Sequence, residues 1–269
     1  MQMESMEDLK VKLVEIDRWE KQQKDLWFWE KLSRLPFKII DKVTPKFIHD
    51  KLGTAIDELG NYIQTGGQYL VNQDQFLKRF DKKTPQQLLT LQDVQSLPLN
   101  VMDSVAREIG ESRTTIAGIQ GATTGIGGIF TLAIDIPVLL GLSLKTLQEI
   151  AMCYGYDPDD KQERIFIVKC LQFASSDIVG KQTILEDLET FAQGNNHAHV
   201  FSEIQGWREV VTTYRDNFGW KKLFQLVPIA GIIFGALINK SMIQDIAEVG
   251  MMLYRKRKIQ ERLAGQPIT

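Results

Sequence analysis

The chain has 269 residues, of which 43% are hydrophobic and 25% are charged, and these values are ordinary for a folded globular protein. A net charge of −2 and an isoelectric point of about 6.0 exclude the strong basic field that attracts nucleic acid. The two cysteines, Cys153 and Cys170, lie in apolar helical patterns, which favours core packing in a reducing compartment. The charged beginning of the sequence has no apolar signal core, so we expect a cytoplasmic protein.

Residues 1–36 are predicted to form an N-terminal amphipathic helix. Apolar residues recur there at spacings of three and four, beginning with Leu9 and Leu13, and Pro36 is expected to end the helix. The stretch LWFWE adds Trp27 and Trp29 at its end. These tryptophans either anchor the helix at a lipid interface or pack it onto the rest of the protein.

Residues 114–155 are predicted to form a first apolar helical hairpin. Glycines spaced three or four apart lie on one side of its first helix, where they let another backbone approach closely. These glycines are Gly118, Gly121, Gly125 and Gly128. The segment AIDIP then predicts an interruption, because Pro137 lacks a backbone N–H and Asp135 is suited to cap a new helix. We expect that helix to end at Gly155.

Residues 223–263 are predicted to form a second apolar hairpin. Its first helix runs from Pro228 to Asn239 and contains a GxxxG pair, Gly231 and Gly235. The segment SMIQ has the pattern of a capping box, which predicts that a second helix begins there. Two groups of basic residues accompany this region. Lys221 and Lys222 come directly before it, and its last helix contains Arg255, Lys256, Arg257 and Lys258.

Neither apolar region suits a single membrane-spanning helix, because a span needs about 20 consecutive apolar residues. The first is divided by Asp135 and Pro137, and the second offers only a short helix after Pro228. Each hairpin is therefore part of a buried core or a monotopic or conditional contact with lipid, and an integral membrane protein is a third alternative. The basic residues flanking the second hairpin favour an anionic lipid surface, although RKRK also suits a solvated helix end that complements the helix dipole. We predict an all-α fold, a multi-helix globular bundle with two Gly-rich apolar helical hairpins in a single domain, 1–269.

Several motifs together resemble the EcsC protein family. They are RWEKQ, PKFIHDKLGTAIDE, a Gly-rich helix with DIP closed by YGYDP, LVPIAGIIFGALIN, and the ending LYRKRKIQERL. The resemblance covers residues 10–263. It implies an association with the Ecs ABC transport system through operon arrangement, and it implies no agreed catalytic residues.

The remaining polar residues predict no metal site, cofactor or catalytic group. His197 and His199 form an incomplete pair of metal ligands in a polar loop. Asp135 is a candidate buried carboxylate, although a helix cap is the simpler interpretation. We therefore expect a non-enzymatic accessory protein that is peripheral to the inner face of a membrane, with an anionic lipid or a membrane transporter as its partner. The alternatives are an enzyme with a cleft site near Asp135 and a soluble homo-oligomeric helical scaffold.

Overall fold

The computed structural model describes residues 3–23, 57–58, 60–66, 71–85, 88–125, 129–175, 181–182, 184–186, 188 and 228–265. These residues form helices and the turns that join them, and they contain no β-strand. The predicted all-α fold is therefore confirmed.

Three long helices dominate the described part of the chain, and the others are shorter. The three long helices are α4, α5 and α7. In chain order the helices are α1 (Met6–Gln22), α2 (Gln73–Leu77) with a 3-10 turn (Lys78–Phe80), α3 (Leu91–Gln95), α4 (Leu99–Gly125), α5 (Ile129–Cys153), α6 (Lys161–Ser175) and α7 (Pro228–Ala264). The first helix, α1, lies within the predicted segment 1–36. Trp27 and Trp29 lie outside the described residues, so their predicted roles stay predictions.

Capping boxes fix the start of two of these helices. The Ser5 side chain accepts a hydrogen bond from the Asp8 backbone N–H, and the Asp8 carboxylate accepts one from the Ser5 backbone N–H. Thr90 and Asp93 form the same reciprocal pair at the start of α3. Each box satisfies backbone donors that the first helical turn leaves without partners.

The long helices α4, α5 and α7 pack side by side. The Tyr154 hydroxyl just after α5 donates to Asp103 near the start of α4, so α4 and α5 are antiparallel. Arg262 near the end of α7 donates to the Leu97 carbonyl just before α4, so α4 and α7 are antiparallel as well. The end of α4 and the beginnings of α5 and α7 therefore lie at the same end of this three-helix unit.

Close contact between α4 and α7 depends on small residues. A Cβ atom added at Gly110 would lie 3.1 Å from the Ala247 Cβ, so the two backbones approach as closely as a glycine permits. Thr114, Ala117 and Gly121 follow Gly110 at spacings of four, three and four, and all three are buried. This stripe contains one glycine of the predicted set, Gly121.

The other described helices pack around this unit. Trp19 of α1 stacks against Phe173 of α6, with ring centroids 5.9 Å apart, and donates a 2.6 Å hydrogen bond to Glu248 of α7. The predicted helix end at Gly155 is confirmed: Gly155 lies two residues after Cys153, the last residue of α5, and has φ +81°, a conformation that residues with a side chain rarely adopt.

The predicted interruption at Asp135 and Pro137 is wrong. Both residues lie inside α5, which continues from Ile129 to Cys153, so Asp135 is not the cap of a second helix. A proline inside a helix typically costs about 3 kcal/mol. However, α5 packs against both α4 and α7, and a break would forfeit part of that contact. The chain instead folds back between Gly125 and Ile129.

The second predicted hairpin is also wrong in its details. The helix α7 runs without a break for 37 residues and includes Ser241 and Gln244, so the SMIQ pattern lies in its interior. No glycine or proline separates Asn239 from Gln244, and the contact between Gly110 and Ala247 lies just beyond this segment. Within the described part of the chain, no helix combines the length and the hydropathy that crossing a membrane requires.

Candidate functional site

One end of the three-helix unit is almost free of charge. It consists of residues 114–125 of α4, 129–144 of α5 and 228–239 of α7, and we call it the apolar end. Asp135 is the only charged residue in these segments. At about 1.5 Å per residue, the three segments are about 18, 24 and 18 Å long.

Large apolar side chains are exposed at this end. Ile116 and Ile119 of α4 are 42% and 63% exposed, Val138 of α5 is 46% exposed, and Leu237 of α7 is 52% exposed. Isolated exposed apolar residues are common on protein surfaces, and Val11 and Val14 of α1 are further examples. Those two valines, however, have charged residues directly next to them in the sequence. At the apolar end, the charged residues nearest in sequence to Ile116, Val138 and Leu237 are Arg113, Asp135 and Lys240, each three residues away.

The predicted basic cluster 255–258 lies elsewhere. Leu237 and Arg255 are 18 residues apart on one continuous helix, which corresponds to about 27 Å along its axis. The expectation that RKRK borders the apolar region is therefore wrong, because it assumed that α7 turns back near Asn239.

Each of the four cations in RKRK has a carboxylate partner within the fold. These ion pairs join α7 to α1, α4 and α6, and one lies within α7. They are Arg255 with Asp103 at 3.2 Å and Glu15 at 3.7 Å, Lys256 with Glu20 at 2.8 Å, Arg257 with Glu163 at 2.8 Å, and Lys258 with Glu261 at 2.9 Å. Burial lowers the pKa of the Lys258 ammonium, and Glu261 opposes that shift. The predicted contact of these cations with a membrane stays a prediction, but their geometry gives them a structural role.

The most buried carboxylate among these pairs belongs to Glu163 of α6. Its carboxylate accepts hydrogen bonds from the Tyr254 hydroxyl at 2.5 Å and from Arg257 at 2.8 Å. The Arg257 guanidinium also lies 4.0 Å from the centre of the Tyr156 ring, a cation–π contact. Burial raises the pKa of Glu163, although Arg257 and Tyr254 both favour the charged form.

A second, partly buried carboxylate, Asp103 of α4, lies nearby. It accepts a 2.8 Å hydrogen bond from Tyr154 and lies 3.2 Å from Arg255 Nε, whose N–H is not aligned for a hydrogen bond. The Tyr154 ring stacks on the Tyr254 ring, so the two carboxylates are linked through a pair of tyrosines. Burial raises the pKa of Asp103 against the attraction of Arg255. Each polar group in this network is positioned by a partner on another helix, which fits a structural junction.

A shallow cleft of about 30 Å³ opens beside this junction, where Lys256 and Arg257 line it together with Phe166 and Leu253. A volume of this size admits one or two water molecules. Because both cations already bind carboxylates, the cleft offers a ligand little recognition.

The predicted core packing of the two cysteines is confirmed. Cys153 and Cys170 are free and buried, and burial raises the pKa of both thiols, which makes them poor nucleophiles. Among the described residues, no three His, Cys, Asp or Glu side chains come close enough to hold a metal ion.

The remaining predicted residues are only partly described. Gly118 and Gly125 lie on α4 and Gly231 and Gly235 lie on α7, so their predicted packing role stays a prediction. The backbone of Asp135 lies within α5, and its predicted role as a buried carboxylate stays a prediction. Lys221, Lys222 and Gly128 lie outside the described residues.

Sequence reasoning missed Glu163, Asp103 and Gly110. One signal was available for Glu163, since it begins the sequence ERIFIVKC, in which charged residues interrupt an otherwise apolar helix. No local pattern distinguishes Asp103 from an exposed aspartate, because its partners Tyr154 and Arg255 are remote in sequence.

Comparison with known proteins establishes the family. The family model described as the EcsC protein family matches residues 10–259. This chain belongs to the EcsC protein family. It is 58% identical over 264 residues to the uncharacterised protein YdbA of Bacillus subtilis (strain 168), an alignment that covers 98% of this chain and 97% of that protein. It is 30% identical over 169 residues to the protein EcsC of the same organism, covering 63% of this chain and 69% of that protein. No solved structure matches the chain.

Proposed function

We propose that this EcsC-family protein is a non-enzymatic accessory protein that binds peripherally to the cytoplasmic face of a membrane through its apolar end. The observation that carries the proposal is the exposure of Ile116, Ile119, Val138 and Leu237 in segments of α4, α5 and α7 whose only charged residue is Asp135. Transfer of such side chains from water into an apolar phase is favourable. The link to a transporter rests on the family resemblance alone.

The dimensions of the apolar end support insertion into one leaflet. A bilayer is about 40–45 Å thick with its headgroups, so one leaflet is about 20 Å deep. The charge-free parts of α4 and α7 are each about 18 Å long. An end of that length reaches through the headgroups of one leaflet and into its hydrocarbon without crossing the membrane.

The strength of binding follows from the exposed area. Full burial of a Val, Leu or Ile side chain contributes about 1.5–3 kcal/mol, and the four side chains are each about half exposed. Their insertion therefore contributes about 4 kcal/mol in total, which gives reversible binding about tenfold weaker than that of a single myristoyl chain.

Vesicle flotation tests the proposal with two pairs of variants. Ile119→Asp and Leu237→Asp place a carboxylate at the apolar end, and we expect each to weaken binding by at least about tenfold. The matched controls are Val11→Asp and Val14→Asp, which change similarly exposed residues on α1. If wild-type protein does not float with vesicles at low salt, or if the control variants lose as much binding, the proposal is wrong.

The same apolar end also fits a contact between copies of this chain. Sedimentation velocity on the purified protein distinguishes this alternative from lipid binding. An oligomer that dissociates on Ile119→Asp substitution, together with no vesicle binding by the wild type, would favour the homo-oligomeric scaffold.

A further inference from the structure

Cations border the apolar end on all three helices. Moving away from that end, the first charged residue is Arg113 on α4, Lys145 on α5 and Lys240 on α7. The acidic residues follow further along: Glu149 comes four residues after Lys145, and Asp245 comes five residues after Lys240. The charge nearest to the apolar end is therefore positive on every helix of the unit.

Two of these three cations face solvent. Arg113 donates two hydrogen bonds to Glu149, at 2.8 and 2.5 Å, and its charge is largely compensated. Lys145 and Lys240 are both exposed. They differ in this respect from the cations of RKRK, which begin about 22 Å further along α7 and are all paired with carboxylates.

The spacing along the helices places the two lysines at the depth of lipid headgroups. Lys240 follows Leu237 by about 4.5 Å along α7, and Lys145 follows Val138 by about 10 Å along α5. A lysine side chain extends its ammonium group toward the polar side of an interface while its methylene groups remain on apolar surface. When Leu237 and Val138 enter hydrocarbon, both ammonium groups can reach the phosphates of the same leaflet.

We infer that Lys145 and Lys240 form a cationic collar that selects anionic phospholipids when the apolar end inserts. The inference rests on the proposed function, since the collar acts only on a protein already bound through Ile119 and Leu237. Each basic residue near an anionic surface strengthens binding by about fivefold at low salt, so the pair contributes about 25-fold. Neutral vesicles bind through the apolar end alone.

Flotation with two vesicle compositions tests the collar. One is phosphatidylcholine alone, and the other is an equimolar mixture of phosphatidylcholine and phosphatidylglycerol. We expect the Lys145→Gln/Lys240→Gln variant to lose about 25-fold in affinity for the mixed vesicles and to keep wild-type affinity for phosphatidylcholine. The matched control is Lys10→Gln/Lys21→Gln, which removes two exposed lysines from α1 and is expected to change neither affinity.

The outcomes separate the collar from the proposed function. Wild-type protein that binds both vesicle types equally, or a control variant that loses the same preference, would overturn the collar and leave the apolar end in place. Loss of the preference only in a Lys221→Gln/Lys222→Gln variant would also overturn it, because the selectivity would then belong to the segment before α7. Absence of binding to either vesicle type would overturn the proposed function itself. Added salt is expected to remove the preference, since the Debye length falls to about 3 Å at 1 M.

Discussion

Replacement of Glu163 by glutamine is the most direct test of the view that the basic cluster of α7 holds the fold together. The glutamine keeps the size and shape of the side chain and can still accept a hydrogen bond from Tyr254. The substitution removes the negative charge that pairs with Arg257. It also places an amide N–H opposite the guanidinium, which can only donate hydrogen bonds. We therefore expect Glu163→Gln to lower the free energy of unfolding without changing the fold.

The magnitude follows from the burial of the pair. The side chains of Glu163 and Arg257 are 4% and 23% exposed, so removal of one partner leaves a largely desolvated charge. Breaking a fully buried pair costs about 3–5 kcal/mol. Arg257 keeps its contact with the Tyr156 ring and lies 3.6 Å from Glu261, which lowers the expected cost to about 2–3 kcal/mol. A loss of that size lowers Tm by about 5–10 °C in a chain of this length.

Urea denaturation followed by far-ultraviolet circular dichroism measures the loss. The matched control is Glu15→Gln, since Glu15 is 56% exposed and lies 3.7 Å from Arg255. An exposed pair contributes little, so we expect this control to change stability by less than about 0.5 kcal/mol. A double-mutant cycle with Arg257→Gln isolates the pair. A loss below about 1 kcal/mol for Glu163→Gln, or no coupling in the cycle, would refute the structural role of the cluster.

Three further predictions follow from other parts of the structure. Hydrogen bonds from the Leu89 and Thr90 backbone lower the pKa of Asp93, so its carboxylate stabilises the folded protein at neutral pH. This stabilisation is lost as pH falls below about 3.9, the ordinary pKa of an aspartate in an unfolded chain. The urea midpoints of wild-type and Asp93→Asn protein should differ at pH 7 and converge as pH falls through that range. Gly110→Ala should destabilise the protein by about 1 kcal/mol in the same assay, because crowding against Ala247 exceeds the gain in helix propensity. Asp135→Asn should strengthen vesicle binding in flotation, by up to about 100-fold if the carboxylate enters hydrocarbon.

Each of these predictions has its own check. Asp8→Asn removes the equivalent carboxylate of the α1 capping box, whose pKa is also lowered, and should show the same pH dependence as Asp93→Asn. Adding Ala247→Gly to Gly110→Ala should restore most of the lost stability, and failure to do so would argue against a close contact between α4 and α7. Unchanged or weaker vesicle binding by Asp135→Asn would mean that Asp135 does not enter the hydrocarbon.

The basic cluster shows how an identical sequence pattern supports two different roles. From sequence, RKRK beside an apolar hairpin indicates a lipid-binding surface. On the continuous helix α7 the same residues lie about 27 Å from the exposed Leu237 and bind Asp103, Glu20, Glu163 and Glu261. The cations that do border the apolar end, Lys145 and Lys240, are single lysines that no pattern distinguishes from ordinary surface residues.

Features that depend on the order of residues along the chain were predictable from the sequence. Helical periodicity predicted the all-α fold, Gly155 predicted the end of α5, and the two apolar regions were recognised because they lack charge over long stretches. The motifs also identified the EcsC family. The helical periodicity and the turn signal act within a few residues, and the charge-free stretches and the order of the motifs are visible along the chain, so no knowledge of the tertiary structure was needed to interpret them.

The positions of the chain reversals and the pairing of the charges depend on how the helices pack in three dimensions. Pro137 and the SMIQ pattern are local signals for a break, but continuous packing against α4 outweighs them, because side-chain burial along a long interface contributes more than one proline or cap removes. The partners of Glu163 and Asp103 come from helices as many as 152 positions away, as the pairing of Asp103 with Arg255 illustrates. Such pairs are set by the crossing of helices in space, which residue spacing within any one helix does not encode.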